Sequence, residues 1–127
     1  MKIIGGKIYV LRIPFVEAFA HSTKERKFSD SFIVRLFTED GTEGYGEGAA
    51  RPYVTGETVE TSVEYIKNEL FPAIRENDFK EIENGIDAVA ALKPIADSLP
   101  LTDLSGGVIW NAACAAVETA LIDCCRK

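Results

Sequence analysis

The stretch Ser31-Phe32-Ile33-Val34-Arg35-Leu36-Phe37-Thr38-Glu39-Asp40-Gly41-Thr42-Glu43-Gly44-Tyr45-Gly46-Glu47-Gly48 decides the fold. Phe32, Val34 and Leu36 alternate with Ile33, Arg35 and Phe37, the period of a half-buried strand. Asp40-Gly41 between two strand-like runs is a strong hairpin signal, because both residues tolerate positive φ. Residues 43–48 then return as a second strand. Upstream, residues 3–13 are rich in Ile, Val, Tyr and Leu, and alternation places Ile4, Ile8 and Val10 on one side. Pro14 is expected to end that strand, since it cannot donate to a ladder. Residues 15–29 carry Lys24, Glu25, Arg26 and Lys27 without clear period and predict an exposed loop. The expectation is a three-stranded antiparallel meander with a long loop after its first strand and a tight turn after its second.

Beyond residue 56 the period becomes helical. Val59, Val63, Ile66, Leu70 and Ile74 form one apolar stripe. Thr55 or Gly56 can cap this helix, Glu57 and Glu60 suit its positive end, and Glu57, Glu60 and Glu64 mark a solvated face. Pro72 should kink or end it near Leu70. Asp78-Phe79-Lys80-Glu81 has the spacing of a capping box, opening a second helix to about residue 92, before Pro94. Residues 94–107 read as irregular. A last helix starts near Val108, with Trp110, Ala113, Cys114, Val117, Leu121 and Cys124 on its apolar stripe and alanines that allow close packing. Strands first and helices afterwards imply an α+β domain: a meander followed by a helical bundle.

A chain of 127 residues, 46% of them hydrophobic, fits a single domain over residues 1–127 with one ordinary core. A net charge of −6, with the basic residues scattered, argues against a nucleic-acid partner. No run approaches the ~20 apolar residues of a membrane span, and the charged, glycine-containing start is unlike a signal peptide. The expected location is the cytoplasm. Cys114, Cys124 and Cys125 lack the spacing of a zinc site and read as reduced thiols used as small apolar residues.

Gly44-Tyr45-Gly46-Glu47-Gly48 lacks the Gly-Lys-Ser/Thr ending of a phosphate loop and the βαβ context of a dinucleotide site. Its glycines instead suggest a bulge or a close approach of backbones. His21 is the only histidine, and nothing pairs it with a nucleophile in the manner of a triad. The acidic residues form no metal cluster. Glu47, among glycines and alanines, is expected to be partly buried and either structural or close to a site. From the residues alone, this is an α+β domain with no self-contained catalytic set.

Several stretches together resemble one family. They are Ile8-Tyr9-Val10-Leu11-Arg12-Ile13-Pro14-Phe15, Phe19-Ala20-His21-Ser22, the hairpin ending in Gly44-Tyr45-Gly46-Glu47-Gly48, Tyr53-Val54-Thr55-Gly56-Glu57-Thr58, and Ala116-Val117-Glu118-Thr119-Ala120-Leu121-Ile122-Asp123. The chain is similar to the N-terminal domain of the mandelate racemase and muconate lactonising group of the enolase superfamily. The resemblance implies a substrate-capping and specificity domain that packs over a barrel, where acid/base residues and Mg²⁺ carry the chemistry. Such a barrel needs ~250 residues, so the expectation is that the barrel is absent here. The chain alone should then hold no catalytic residue, metal or cofactor, and should meet a small carboxylate substrate only beside a barrel. The resemblance also implies that residues 19–23 and 50–55 close over substrate, making Phe19, His21, Tyr53 and Val54 the candidate pocket contacts. An alternative is a stand-alone binding or self-assembly module, with the last helix as a homo-oligomer face. A redox role for Cys124 and Cys125 is a weaker option.

Overall fold

Phe32, Val34, Leu36 and Thr38 are buried, while Ile33, Arg35 and Phe37 are only partly covered, so their strand is one-sided as its period requires. The computed structural model describes residues 1–21, 24–79 and 108–125, and for 13–21 and 24–29 the backbone alone. Its strands are β1 (Ile3–His21), β2 (Lys24–Thr38) and β3 (Glu43–Gly48), in antiparallel order β1-β2-β3. The β2–β3 turn is the expected one. Gly41 takes φ 88°, and the Asp40 carboxylate accepts the Thr42 N–H at 3.0 Å and the Thr38 hydroxyl. These bonds, the Thr38 hydroxyl first, pull the Asp40 carboxyl down to about 2.

Two expectations for the first strand fail. Residues 15–21 and 24–29 are strand rather than loop: β1 runs on through Pro14 to His21, and β2 begins at Lys24, so the two strands pair past the end of β3 as a ribbon. Pro14 is tolerated because β1 is an edge strand, where an N–H can face away from the ladder. The pairing slips between Pro14, opposite Phe28, and Phe19, opposite Arg26. The second correction is parity. A register shift between Ile3 and Gly5 leaves Ile4 as an extra residue, so Ile3 is buried and Ile4 is exposed. Ile8 and Val10 keep the inner side, opposite Val34 and Phe32, although Val10 is exposed.

The helices are α1 (Pro52–Thr55), α2 (Val59–Tyr65), a π-helical segment (Ile66–Leu70), α3 (Phe71–Arg75) and α4 (Asn111–Cys125). Val59, Ile66, Leu70 and Ile74 are buried and Val63 packs against them, as the stripe predicts. Pro72 neither ends nor breaks this run. The turn before it widens, with the Phe71 N–H bonding the Ile66 carbonyl, which absorbs the bond a proline cannot make. The cap is Thr58 rather than Thr55 or Gly56: its hydroxyl accepts the Thr61 N–H at 3.0 Å, and the Thr61 hydroxyl accepts the Thr58 N–H at 2.9 Å. Of the expected second helix, Asp78 pairs with Lys2 as an isolated bridge and its carboxylate accepts from the Met1 amine. The remainder of that helix and the irregular stretch 94–107 lie outside the described residues.

Helix α4 begins at Asn111, three residues later than expected, and lies on β3 with its small residues inward. Two residues of strand rise ~6.8 Å and four of helix ~6.0 Å, so alternate strand positions can track every fourth helical one. Gly44, Gly46 and Gly48 do so. A Cβ on Gly44 would lie 2.2 Å from the Ala120 carbonyl oxygen, one on Gly46 1.9 Å from that of Ala116, and one on Gly48 2.7 Å from that of Ala112. The reading of these glycines as a close backbone approach is therefore correct. The same alternation corrects Glu47: with the glycines inward, it faces solvent. Tyr45 donates its N–H to Asp123 at 2.9 Å, fastening β3 to the end of α4. Cys114, Cys124 and Cys125 are buried thiols, not joined in disulfides. The Ala/Cys face proposed for self-association is buried within the chain itself. Among the described residues no helix is long and apolar enough to cross a membrane.

Candidate capping surface

The segment Arg51-Pro52-Tyr53-Val54-Thr55-Gly56-Glu57-Thr58 builds two helix ends within eight residues. Pro52 opens α1, where its missing N–H and fixed φ suit the first turn. Gly56 closes it at φ 81°, its N–H bonding the Pro52 carbonyl at 3.0 Å. Three residues later α2 has started. This single turn carries Tyr53 and Val54 outward, 53% and 68% exposed, so both candidate contacts are presented to solvent rather than spent on the core. Thr55 is tied down from the other side, its carbonyl accepting the Ile109 N–H at 3.3 Å. Tyr65 stacks on Trp110 at 4.2 Å between ring centroids, bracing the stretch that leads into α4.

The other candidates sit on the ribbon. Phe19 lies opposite Arg26 and His21 opposite Lys24, at its outer end. An open groove of about 420 Å³ runs between the ribbon's base and the starts of α1 and α2, with Val10, Arg12 and Asp30 on one wall and Pro52, Thr58, Val59 and Glu60 on the other. Arg12 and Asp30, directly paired across the strands, approach to 3.6 Å. The structure thus places Tyr53 with Val54 on α1 and Phe19 with His21 on the ribbon, and none of the four is among the residues that line the groove.

Glu57 is the residue the sequence reading misplaced. Expected on a solvated face, it is fully buried. One carboxylate oxygen accepts the Ala112 N–H at 2.9 Å and the Thr55 hydroxyl at 2.8 Å; the other accepts the Ala113 N–H at 3.0 Å and the Ser62 hydroxyl at 3.4 Å. It does not serve the start of the next helix in sequence but that of α4, whose own first turn holds no acid. The signal lay in spacing: a connection of three residues between α1 and α2 leaves its central side chain little room to leave the core. With both oxygens taken by donors, Glu57 has no lone pairs aimed at a cation. Among the described residues no three His, Cys, Asp or Glu side chains converge to hold a metal ion.

A three-stranded antiparallel meander backed by helices defines an α+β domain. Residues 8–127 match the mandelate racemase / muconate lactonizing enzyme N-terminal domain, and the chain belongs to that family. It is 38% identical to the N-succinyl-L-Arg/Lys racemase of Bacillus cereus, over 58% of this chain and 20% of the racemase. The crystal structure of the B. cereus N-succinyl Arg/Lys racemase superposes with a TM-score of 0.74 at 29% identity, over 94% of this chain and 29% of that one. The hydrophobic dipeptide epimerase of Enterococcus faecalis is 28% identical, over 84% of this chain and 35% of the epimerase. The dipeptide epimerase of Methylococcus capsulatus, solved with Mg and the dipeptide L-Arg-D-Lys, matches at a TM-score of 0.66 and 22% identity over 95% of this chain and 30% of its own, a likeness of fold. The chain therefore spans between a fifth and about a third of these relatives.

Proposed function

We propose that this chain is the substrate-capping and specificity domain of a racemase or epimerase acting beside the carboxylate of an N-acyl amino acid or dipeptide. The observation that carries this is the pair Tyr53 and Val54, exposed on a turn whose backbone is fixed from behind and whose first residue, Pro52, lines a groove with Val10, Arg12 and Asp30 at the base of the ribbon that bears Phe19 and His21. An exposed aromatic and an exposed branched aliphatic on a fixed turn can cover the apolar part of a ligand and exclude water from a reacting centre. In the whole protein, acid/base groups and Mg²⁺ belong to a barrel domain, where the metal would stabilise the enolate of a substrate carboxylate. Among the described residues of this chain no side-chain cluster fits that ion.

The 127-residue chain alone should show no Mg²⁺-dependent exchange of a substrate α-proton. In the protein that joins it to a barrel, Tyr53→Ala and Val54→Ala should change relative kcat/KM among N-succinyl amino acids and dipeptides by about tenfold, the scale set by one apolar group in a binding pocket. Identical discrimination by wild type and both variants would refute the capping role. Exchange by the isolated chain would refute its inactivity.

A further inference from the structure

Glu57 does more than fill a place in the core. A buried carboxylate is costly unless it is fully hydrogen-bonded, and the partners of this one come from three separate elements. The Thr55 hydroxyl belongs to α1, the Ser62 hydroxyl to α2, and the Ala112 and Ala113 N–H groups to α4. The last two are 55 and 56 residues away in sequence. Charge-assisted hydrogen bonds of this kind are among the stronger ones, and the positive end of α4 supplies the compensation that a basic side chain would otherwise provide. The carboxylate thus joins the turn carrying Tyr53 and Val54 to the first turn of α4, and α4 is itself seated on β3 without intervening side chains.

We infer that Glu57 is a positioning residue: it locks the capping turn to α4, so that the turn acts as a fixed wall whose place is set by the helix, not as a lid that swings. The inference rests on the capping reading for its functional meaning, but its physical content is independent of it. Thr55 is the link on the turn side, and its hydroxyl shares one carboxylate oxygen with the Ala112 N–H. The same hydroxyl also donates to the Arg51 carbonyl at 3.5 Å and accepts the Glu57 N–H at 3.4 Å, and the Thr55 carbonyl keeps the Ile109 N–H, so removing the hydroxyl should loosen the turn without detaching it and leave the helix capped.

Amide hydrogen exchange on the intact chain tests this. The Val54, Thr55 and Gly56 N–H groups bond within the turn, to Arg51 and Pro52 carbonyls. In Thr55→Val their exchange should accelerate at least about tenfold, as for one lost charge-assisted hydrogen bond, while Ala112, Ala113 and the β2 amides keep their protection. In Glu57→Gln, which places an amide N–H₂ among donors, exchange should rise at both sets of amides. If Glu57→Gln fails to fold, Thr55→Val alone decides. Unchanged exchange at 54–56 in Thr55→Val, or equal acceleration throughout the chain, overturns the inference. Loosening of 54–56 in Thr55→Val with unchanged substrate discrimination in the barrel-bearing protein supports the Glu57 assignment and refutes the capping reading.

Discussion

At the residue scale, the environment of one thiol makes an alkaline prediction. Cys114 is buried in the first turns of α4, and its thiol is pushed up to about 12, first by burial and then by the carboxylates of Glu57 and Glu118. An unfolded chain would ionise the same thiol at ~8.5. A group whose folded value is raised contributes stability that is intact below its unfolded value and drains away as pH climbs toward its folded one. The window here is therefore about pH 8.5 to about 12. Urea denaturation at about pH 7 and about pH 10.5 should show a loss of stability that Cys114→Ala reduces. The same loss in both proteins would show that the thiol is not responsible. Native Cys114 should also resist alkylation at neutral pH, since the thiolate is the reactive form.

At the element scale, β3 and α4 meet backbone to backbone, and that contact discriminates sharply between glycines. Gly46→Ala would place a methyl 1.9 Å from the Ala116 carbonyl oxygen, and neither a helix backbone nor a sheet strand can yield by the distance required. It should cost more than ~3 kcal/mol or prevent folding. Gly5→Ala meets only the edge of Phe37 at 3.5 Å, an ordinary contact, and should change stability by less than ~1 kcal/mol. Denaturant midpoints of the two variants check this; similar losses at both positions would deny the close approach. Much of this layer was legible in sequence. Period-two alternation found the core of β2, the Asp40-Gly41 pair found the turn and with it the return strand β3, and the stripe from Val59 to Ile74 found the helix, though not its passage through Pro72. The misreadings share a cause. Each depends on which partner a segment meets: Pro14 is harmless only because β1 is an edge, Ile4 is displaced by a bulge set against β2, and Glu57 is buried because a helix 55 residues away needs its oxygens. Local pattern carries no record of such partners.

At the scale of the whole molecule, the sheet has two regimes. Between Phe32 and Phe37, β2 has a strand on each side, and its inner face is sealed by α4 and the α2–α3 run. Beyond the Pro14–Phe28 pair only two strands remain, with a register slip before pairing resumes at Phe19. A ribbon of two strands has little independent stability, so it belongs to the lowest-stability part of the fold. This is where the candidate site was least legible: residues 15–29 lack a clean period because a two-stranded ribbon need not bury one face, and the resemblance, not the pattern, marked Phe19 and His21. Because Pro14 and Phe28 are direct partners, residues 15–27 can be excised and the ends joined by a two-residue Asn-Gly turn, which matches the strand twist. The shortened chain should keep its denaturant midpoint, with stability within ~1 kcal/mol of the original. In the barrel-bearing protein the same excision should lower kcat/KM while the fold persists, because the segment bearing Phe19 and His21 has been removed and the groove residues Val10, Arg12 and Asp30 have been kept. A collapse of stability on excision would show instead that the ribbon is part of the structural frame, and the division between a rigid platform and a substrate-facing arm would have to be given up.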